Sequence, residues 1–142
     1  MANQLWVLDT DHLILLQRAH PQVVAKLRRV PLIERATTVV NAEEQLRGRF
    51  AMIARARNAQ EWVTAYGAFQ TTLLDLMPLR LLSFDDAAAT EFVRLKSTFG
   101  QVGTQDLKIA AIVLSVGGIL VTRNQRDFAR IPDLVIEDWT QP

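Results

Sequence analysis

Acidic residues stand next to several apolar stretches of the sequence, where their carboxylates could act together. Asp9 ends the first apolar run and Glu44 follows the second. Asp127 follows the fourth run, and Asp106 begins the helix-like stretch that precedes it. Ligands of open α/β sheets bind beyond the carboxyl ends of the strands, so we expect these four side chains to lie close together.

A cluster of carboxylates needs either protons or a cation, because neighbouring negative charges repel one another. The chain has no cysteine and only two histidines, His12 and His20, so a zinc site is not expected and both histidines are predicted to be packed or solvated. Oxygen ligands suit magnesium or manganese instead. Such an ion lowers the pKa of bound water and stabilises the charge on a phosphoryl group under attack. These residue types therefore indicate metal-assisted hydrolysis of a phosphodiester.

Other acids have an ordinary structural explanation, since Asp and Glu are common at helix caps and in first helical turns. We interpret Glu43, Asp85 and Asp86 in this way. Asp11 has two open interpretations. It either caps the helix that follows Asp9 or adds a further acid to the metal site.

Short apolar strands alternate with helices along the sequence. The predicted strands are residues 4–9, 36–41, 79–84, 117–123 and 134–139, and the predicted helices are residues 12–20, 21–30, 42–58, 59–77, 85–99 and 104–116. Strands that are apolar throughout are typical of a parallel sheet covered on both faces. We therefore expect one α/β domain over residues 1–142, a three-layer α/β/α architecture with a short central, mainly parallel sheet of about five strands.

Two of the predicted helices carry acids of the cluster close to their first turn. Asn41 is the predicted cap of the helix that holds Glu44, and Thr104 is the predicted cap of the helix that holds Asp106. The helix dipole favours negative charge at this end of a helix. Both carboxylates are therefore expected to stay ionised.

Large apolar residues recur at three- and four-residue steps in the helix of residues 59–77. This pattern predicts a stripe that faces the core, in a helix that pairs with the preceding one as an antiparallel hairpin. A contribution of the stripe to an interface with another protein is the alternative. The stripe consists of Trp62, Tyr66, Phe69, Leu73 and Met77.

The charge total does not signal a strongly basic nucleic-acid-binding protein, since the formal net charge is +1. Arginines nevertheless flank the predicted acid positions, and the arginine fork suits phosphate groups. Arg47, Arg49, Arg123 and Arg126 are therefore candidates for contacts with RNA phosphates, with solvated helix faces as the alternative.

The sequence holds no apolar run of the roughly 20 residues that a membrane-spanning helix needs. Its first residues also lack the basic and apolar pattern of a secretory signal. We expect a soluble cytoplasmic protein without a membrane association.

Four stretches of the sequence resemble the sequence blocks of PIN domains, in the family's order and over nearly the whole chain. The resemblance is strongest to the VapC ribonuclease toxins of bacterial toxin–antitoxin pairs. The four stretches read VLDTDHLILL, TTVVNAEEQLRG, GTQDLKIAA and ILVTRNQRDFARIPDLVIEDW.

The resemblance assigns the acids of the site. Asp9 takes the first acidic position, with Thr10 as the hydroxyl beside it. Glu44 takes the second, four residues before Gly48 in an E-x-x-x-G block. Asp106 takes the third, in a D-x-x-I-A-A block.

The last block, T-x-N-x-x-D-F, matches Thr122, Asn124, Asp127 and Phe128. Asn124 or Asp127 would complete the acidic pocket. Asp11 departs from the family, which more often has asparagine or serine at this position.

The resemblance also implies a function and partners. Asp9, Glu44 and Asp106 would hold Mg²⁺ or Mn²⁺, directly or through water, and an activated water would hydrolyse RNA. The implied partners are an RNA substrate, a small antitoxin protein that blocks the pocket, and a second copy of the chain in a homodimer.

Two other functions fit parts of the same pattern. A haloacid-dehalogenase-like phosphatase would use Asp9 as nucleophile and Lys96 or Lys108 as its lysine. Residues 123–127 match the acidic pair of that class poorly. The second alternative is a non-catalytic module on the same fold, whose acids are caps and whose arginines bind RNA or a partner.

Overall fold

Five short strands form a parallel sheet at the centre of the computed structural model, which describes residues 4–142. Residues 1–3, which the single-domain prediction includes, lie outside the described residues. The strands are β1 (Trp6–Leu8), β2 (Arg35–Thr38), β3 (Arg80–Leu82), β4 (Ile119–Val121) and β5 (Val135–Glu137). The helices are α1 (Thr10–Gln17), α2 (Pro21–Arg28), α3 (Val39–Arg55), α4 (Ala59–Leu76), α5 (Asp86–Thr98), α6 (Thr104–Val116) and α7 (Gln125–Phe128), with a 3-10 turn at Leu32–Glu34.

The strand order β3-β2-β1-β4-β5 places β1 in the middle of the sheet. Its neighbours β2 and β4 both run parallel to it. Residues that follow β1, β2 and β4 therefore meet at the same edge, as predicted for the acidic residues.

Alternate residues of the strands pack on opposite faces of the sheet. Val7 and Leu120 belong to the core formed with α5 and α6, whereas Leu8 and Val121 belong to the core formed with α1 and α2. Trp139, which follows β5, is buried in the second core. The three-layer α/β/α prediction is therefore confirmed.

The backbone turns sharply between α6 and β4, as the glycine pair there predicts. Gly117 adopts a left-handed conformation with φ +65°, which favours glycine at the end of a helix. A Cβ on Gly118 would lie 3.1 Å from Cγ2 of Val7, so glycine also permits the close approach of β4 to β1.

Three helix starts differ from the predictions. Thr38, not Asn41, caps α3, because the Thr38 hydroxyl accepts the Asn41 backbone N–H and the β-branched residues after it become helical. Gly103, not Thr104, precedes α6, and the Thr104 hydroxyl instead accepts a hydrogen bond from Lys96. The helix after β1 begins at Thr10, two residues early, because the Asp9 carboxylate caps it.

The predicted core stripe of α4 is wrong. The helix buries the small residues Ala65 and Thr72, whereas Tyr66 is 57% exposed and Met77 is 76% exposed. A hydrogen bond of 2.9 Å from Arg49 of α3 to the Thr72 hydroxyl holds the small-residue face inward. The large side chains are therefore directed outward, and only Phe69 is half-buried, against Phe50.

Among residues 4–142, no helix combines the length and the apolar character that crossing a bilayer requires.

Candidate active site

Asp9 lies at the carboxyl end of the central strand and is held by three hydrogen bonds to its carboxylate. Oδ1 accepts from the Thr10 backbone N–H at 2.9 Å and from the Asn41 side-chain amide at 2.8 Å. Oδ2 accepts from the Thr122 hydroxyl at 2.7 Å. The side chain is only 7% exposed, so each of these contacts replaces water that the carboxylate has lost.

Asn41 is a site residue that the sequence analysis missed, since it was interpreted as a helix cap. The Thr38 hydroxyl donates to its Oδ1 at 2.7 Å, which directs the amide nitrogen toward Asp9 and the Thr10 hydroxyl. Asn41 precedes Glu44 by three residues and therefore shares its face of α3. This spacing is the signal that could have identified it.

Glu44 reaches the site through Thr10. The Thr10 hydroxyl donates to Glu44 Oε2 at 2.9 Å, while it accepts from the Asn41 amide at 3.0 Å. Thr10 thus connects the first two acidic positions, Asp9 and Glu44, although 34 residues separate it from Glu44.

Asn124 connects the two remaining acids. Its side-chain nitrogen lies 3.3 Å from Asp106 Oδ2 and 3.3 Å from Asp127 Oδ2. Its side-chain oxygen accepts the Asp127 backbone N–H at 3.4 Å and so caps α7. The structure therefore brings all four predicted acids to one edge of the sheet, with Asn124 between the last two.

The prediction that Glu44 and Asp106 stay ionised is wrong for the chain alone. Burial raises the pKa of Asp106 to about 6, and the charges of Asp9, Glu44, Asp127 and Asp11 raise it further. Burial also raises the pKa of Glu44, against a lowering hydrogen bond from Thr10. Loss of water and mutual repulsion outweigh the helix dipole here.

Asp9 has a raised pKa for the same reason. Burial is the largest cause, the charge of Asp11 adds to it, and the hydrogen bond from Thr122 opposes it. Three acids with raised pKa values in one pocket mark a local excess of negative charge.

Asp11 does not cap a helix, since Asp9 holds that position. Its Oδ1 lies 2.7 Å from Nδ1 of His12, and its Oδ2 accepts the Arg123 backbone N–H at 3.0 Å. His12 is fully buried, as the packed alternative predicted, and His20 caps α2.

The predicted arginines occupy different surroundings. Arg47 is exposed and forms an ion pair of 2.7 Å with Glu43, which also accepts a hydrogen bond from Gln105. Arg49 is engaged by α4 through Thr72. The remaining two, Arg123 and Arg126, are exposed on the segment that follows β4.

Within the described range, no group of three or more His, Asp or Glu side chains is arranged to hold a metal ion directly. Both Asp9 oxygens already accept hydrogen bonds. The excess negative charge still fits a cation, and Mg²⁺ usually keeps several waters and binds through only one or two carboxylates. The site is therefore suited to a hydrated ion, held by Asp106 and Glu44 and by Asp9 through water.

Comparison with known proteins places this geometry in a family. Ribonuclease VapC1 of Haemophilus influenzae strain R2866 is 27% identical over 141 residues, covering 96% of this chain and 99% of the relative. The tRNA(fMet)-specific endonuclease VapC of Salmonella typhimurium is 37% identical over 65 residues, which cover 43% of this chain and 49% of the relative.

Solved structures share the fold. The toxin–antitoxin complex VapBC-1 from nontypeable Haemophilus influenzae contains a chain that matches with a TM-score of 0.76 at 24% identity, over 97% of this chain and 100% of that one. FitAcB from Neisseria gonorrhoeae matches with a TM-score of 0.76 at 21% identity, over 97% of this chain and 100% of that one. The profile of the PIN domain matches residues 6–134. The chain therefore belongs to the PIN domain family.

Proposed function

We propose that this protein is a magnesium- or manganese-dependent endoribonuclease and the toxin of a toxin–antitoxin pair. The observation that carries the proposal is the cluster of Asp9, Glu44, Asp106 and Asp127 at the carboxyl edge of a PIN-domain sheet, with the pKa of Asp106 raised to about 6. Relatives that span the whole chain are ribonucleases, which supports RNA as the substrate. The proposal includes a single domain over residues 1–142 and a cytoplasmic location.

The residues of the chain position the acids and need not supply a nucleophile. Thr122 and Asn41 fix the orientation of the Asp9 carboxylate, while Thr10 fixes that of Glu44. When bound, a divalent ion would lower the pKa of water and stabilise the charge of the phosphoryl group under attack.

The rim of the site offers cations for the RNA backbone. Arg123 and Arg126 are exposed beside the acids on the segment after β4, so their guanidinium groups are free to reach flanking phosphates. Arg47 would have to leave its ion pair with Glu43, which costs little because the pair is exposed. Arg49 is the weakest candidate, since α4 already engages it.

The phosphatase alternative has less support. Both oxygens of Asp9 accept hydrogen bonds in a buried position, which hinders attack on a phosphate. Lys96 is exposed and donates to Thr104. Lys108 lies 3.4 Å from the side-chain oxygen of Gln105. Membership of the PIN domain family favours the nuclease.

The non-catalytic alternative explains the acids as caps, and Asp9 does cap α1. It gives no reason for three further carboxylates in the same pocket, where each one raises the pKa of Asp106. Such a cluster destabilises a fold unless it binds something, so a functional site is the better explanation.

The proposal includes a small antitoxin and a second copy of the chain as protein partners. Supporting this, α3 and α4 expose a set of large apolar side chains that would cost less free energy when covered. We call this set the α3–α4 apolar surface: Phe50, Trp62, Val63, Tyr66, Leu73, Leu74 and Met77. The notebook of related folds includes complexes of a toxin with its antitoxin, such as VapBC-1.

The proposal is tested by incubating the purified protein with end-labelled RNA and Mg²⁺ or Mn²⁺. We expect cleavage that EDTA abolishes and that Asp9→Asn lowers by about two orders of magnitude or more, as for loss of a group that acts at the reaction centre. Asparagine still caps α1, so the fold should survive this change. Asp86→Asn, at an exposed acid of α5, is the matched control and should cleave like the wild type. Equal cleavage by the wild type and Asp9→Asn in EDTA would overturn the proposal.

A further inference from the structure

His12 is a buried polar residue that the proposed chemistry does not use. It lies on α1 with its side chain fully buried, one residue after Asp11. Its ring touches Trp139 edge-on, with ring centroids 6.4 Å apart. A buried imidazole needs a hydrogen-bond partner at each nitrogen, and the identity of these partners determines what it does.

The two partners of His12 assign its tautomer. The Trp139 backbone N–H lies 3.2 Å from Nε2 and can only donate, so Nε2 is the acceptor. Nδ1 therefore carries the hydrogen and donates it to Asp11 Oδ1 over 2.7 Å. Asp138 Oδ1 is 3.7 Å from Nε2, beyond hydrogen-bond distance, and accepts from Thr140 instead.

Asp11 passes this contact on to the segment that follows β4. Its second oxygen accepts the Arg123 backbone N–H at 3.0 Å. The Thr122 hydroxyl also lies 3.4 Å from this oxygen, but its single hydrogen goes to Asp9 at 2.7 Å. Asp11 thus holds the backbone between Thr122 and Asn124, the two residues that orient Asp9 and Asp106.

Asp11 accepts from two different N–H donors, one at each oxygen. Asparagine offers only one acceptor oxygen, so it would turn its own N–H₂ toward one of these donors. The carboxylate of Asp11 and the imidazole of His12 are therefore matched to each other. Both oxygens of Asp11 are occupied, which argues for a structural role and against a metal-ligand role.

We propose that His12 is a positioning residue, which orients Asp11 and thereby the Thr122–Asn124 segment of the active site; this rests on the proposed function. The chain of contacts runs from the Trp139 backbone through His12 and Asp11 to the Arg123 backbone. The segment after β5 is in this way part of the support of the acidic cluster, although it lies beyond the acids in sequence.

Amide hydrogen exchange tests this chain of contacts without any need for catalysis. In His12→Phe, which keeps the ring but has no nitrogen, we expect the Arg123 amide to exchange about tenfold faster or more, although His12 does not bond to Arg123. His12→Asn keeps a donor near the position of Nδ1 and should restore most of the Arg123 protection but not that of Trp139. His20→Asn, at the other histidine, is the control and should change neither amide. Unchanged Arg123 exchange in folded His12→Phe would overturn the proposal.

Kinetics provide a second readout. His12→Phe and Asp11→Asn should each lower kcat by about tenfold and leave KM for RNA nearly unchanged, since neither residue contacts the substrate. The double variant should be no slower than the slower single variant, because both changes break the same chain of contacts. Multiplied effects in the double variant would contradict the proposal.

Asp11→Asn also protects the test against a folding failure of His12→Phe, because it is isosteric and half-exposed in position. Faster Arg123 exchange in this variant supports the proposal and unchanged exchange contradicts it. The exchange result separates the two hypotheses. A wild-type protein that cleaves no RNA refutes the proposed function, whereas the amide protection judges the positioning role alone.

Discussion

Thr122 and Asp9 are 113 residues apart in the chain, yet the hydroxyl of Thr122 donates to the carboxylate of Asp9 over 2.7 Å. The contact joins the ends of the neighbouring parallel strands β1 and β4. Both residues are buried, so the hydrogen bond is shielded from water. It therefore links the stability of the sheet edge to the orientation of the first acid of the site.

Replacing Thr122 by valine removes this donor without changing the size of the side chain. We expect the free energy of unfolding to fall by about 1–3 kcal/mol, since an oxygen of Asp9 is left without a partner. RNA cleavage should fall as well. Urea unfolding and initial rates measure the two effects. Thr90→Val, at an exposed hydroxyl on α5, is the control, and equal behaviour of the two variants would refute the assignment.

Asn41→Asp tests the residue that the sequence analysis missed. The change replaces an amide donor by a carboxylate 2.8 Å from Asp9, so it adds repulsion to a buried acid. We expect RNA cleavage to fall by about tenfold or more. Asn58→Asp is the matched control, because Asn58 caps α4 and aspartate caps equally well. A variant of Asn41 as active as that of Asn58 would show that the amide is dispensable.

The stability of the chain without divalent ions should depend on pH through Asp106. Its folded pKa of about 6 lies above the model value of 3.8, so the ionised carboxylate opposes folding. This penalty is fully present above pH 6 and disappears as the pH falls toward 3.8. Asp106→Asn should therefore melt at a higher temperature than the wild type at pH 7.5, with a smaller difference at pH 5.

The Asp106 prediction is measured by thermal melts of both proteins in EDTA at the two pH values. Asp86→Asn provides the comparison, since it removes an exposed acid at the start of α5. A variant of Asp106 that is less stable than the wild type by the same amount at both pH values would show that repulsion does not govern this carboxylate.

Divalent ions should stabilise the folded protein, because they bind the acids of the native site and not the unfolded chain. At a free Mg²⁺ concentration of 100 times Kd, we expect about 2.7 kcal/mol of added stability. Glu44→Gln should weaken this effect. Glu43→Gln, at the neighbouring exposed acid paired with Arg47, should retain it. Melting temperatures with and without Mg²⁺ give the answer, and identical shifts in both variants would exclude Glu44 from the ion site.

The sheet and the main acids could be predicted because they depend on local patterns and one general rule. Apolar runs predicted the strands, and the rule for parallel sheets placed Asp9, Glu44 and Asp106 at one edge. The exact helix starts depended on a choice between neighbouring cap residues. Thr38 prevailed over Asn41 because its hydroxyl was already held at the end of β2.

Features that depend on tertiary contacts could not be predicted. The spacing of Trp62 and Tyr66 reveals an apolar face, but it does not say whether that face points to the core or to a partner. The pKa of Asp106 depends on how many charges the fold gathers around it. The contact of His12 with Trp139 joins residues 127 positions apart, which no local pattern encodes. The single-domain prediction stays a prediction.

The central claim is that water, activated at the acidic cluster, hydrolyses the RNA phosphodiester. A single turnover in H₂¹⁸O with Mg²⁺ tests it most directly, with the products analysed by mass spectrometry. The account predicts one ¹⁸O in the terminal phosphate of the product and no 2′,3′-cyclic phosphate. A cyclic phosphate, which forms when the 2′-hydroxyl of RNA attacks, would contradict the account, as would the absence of cleavage by the folded, Mg²⁺-loaded protein.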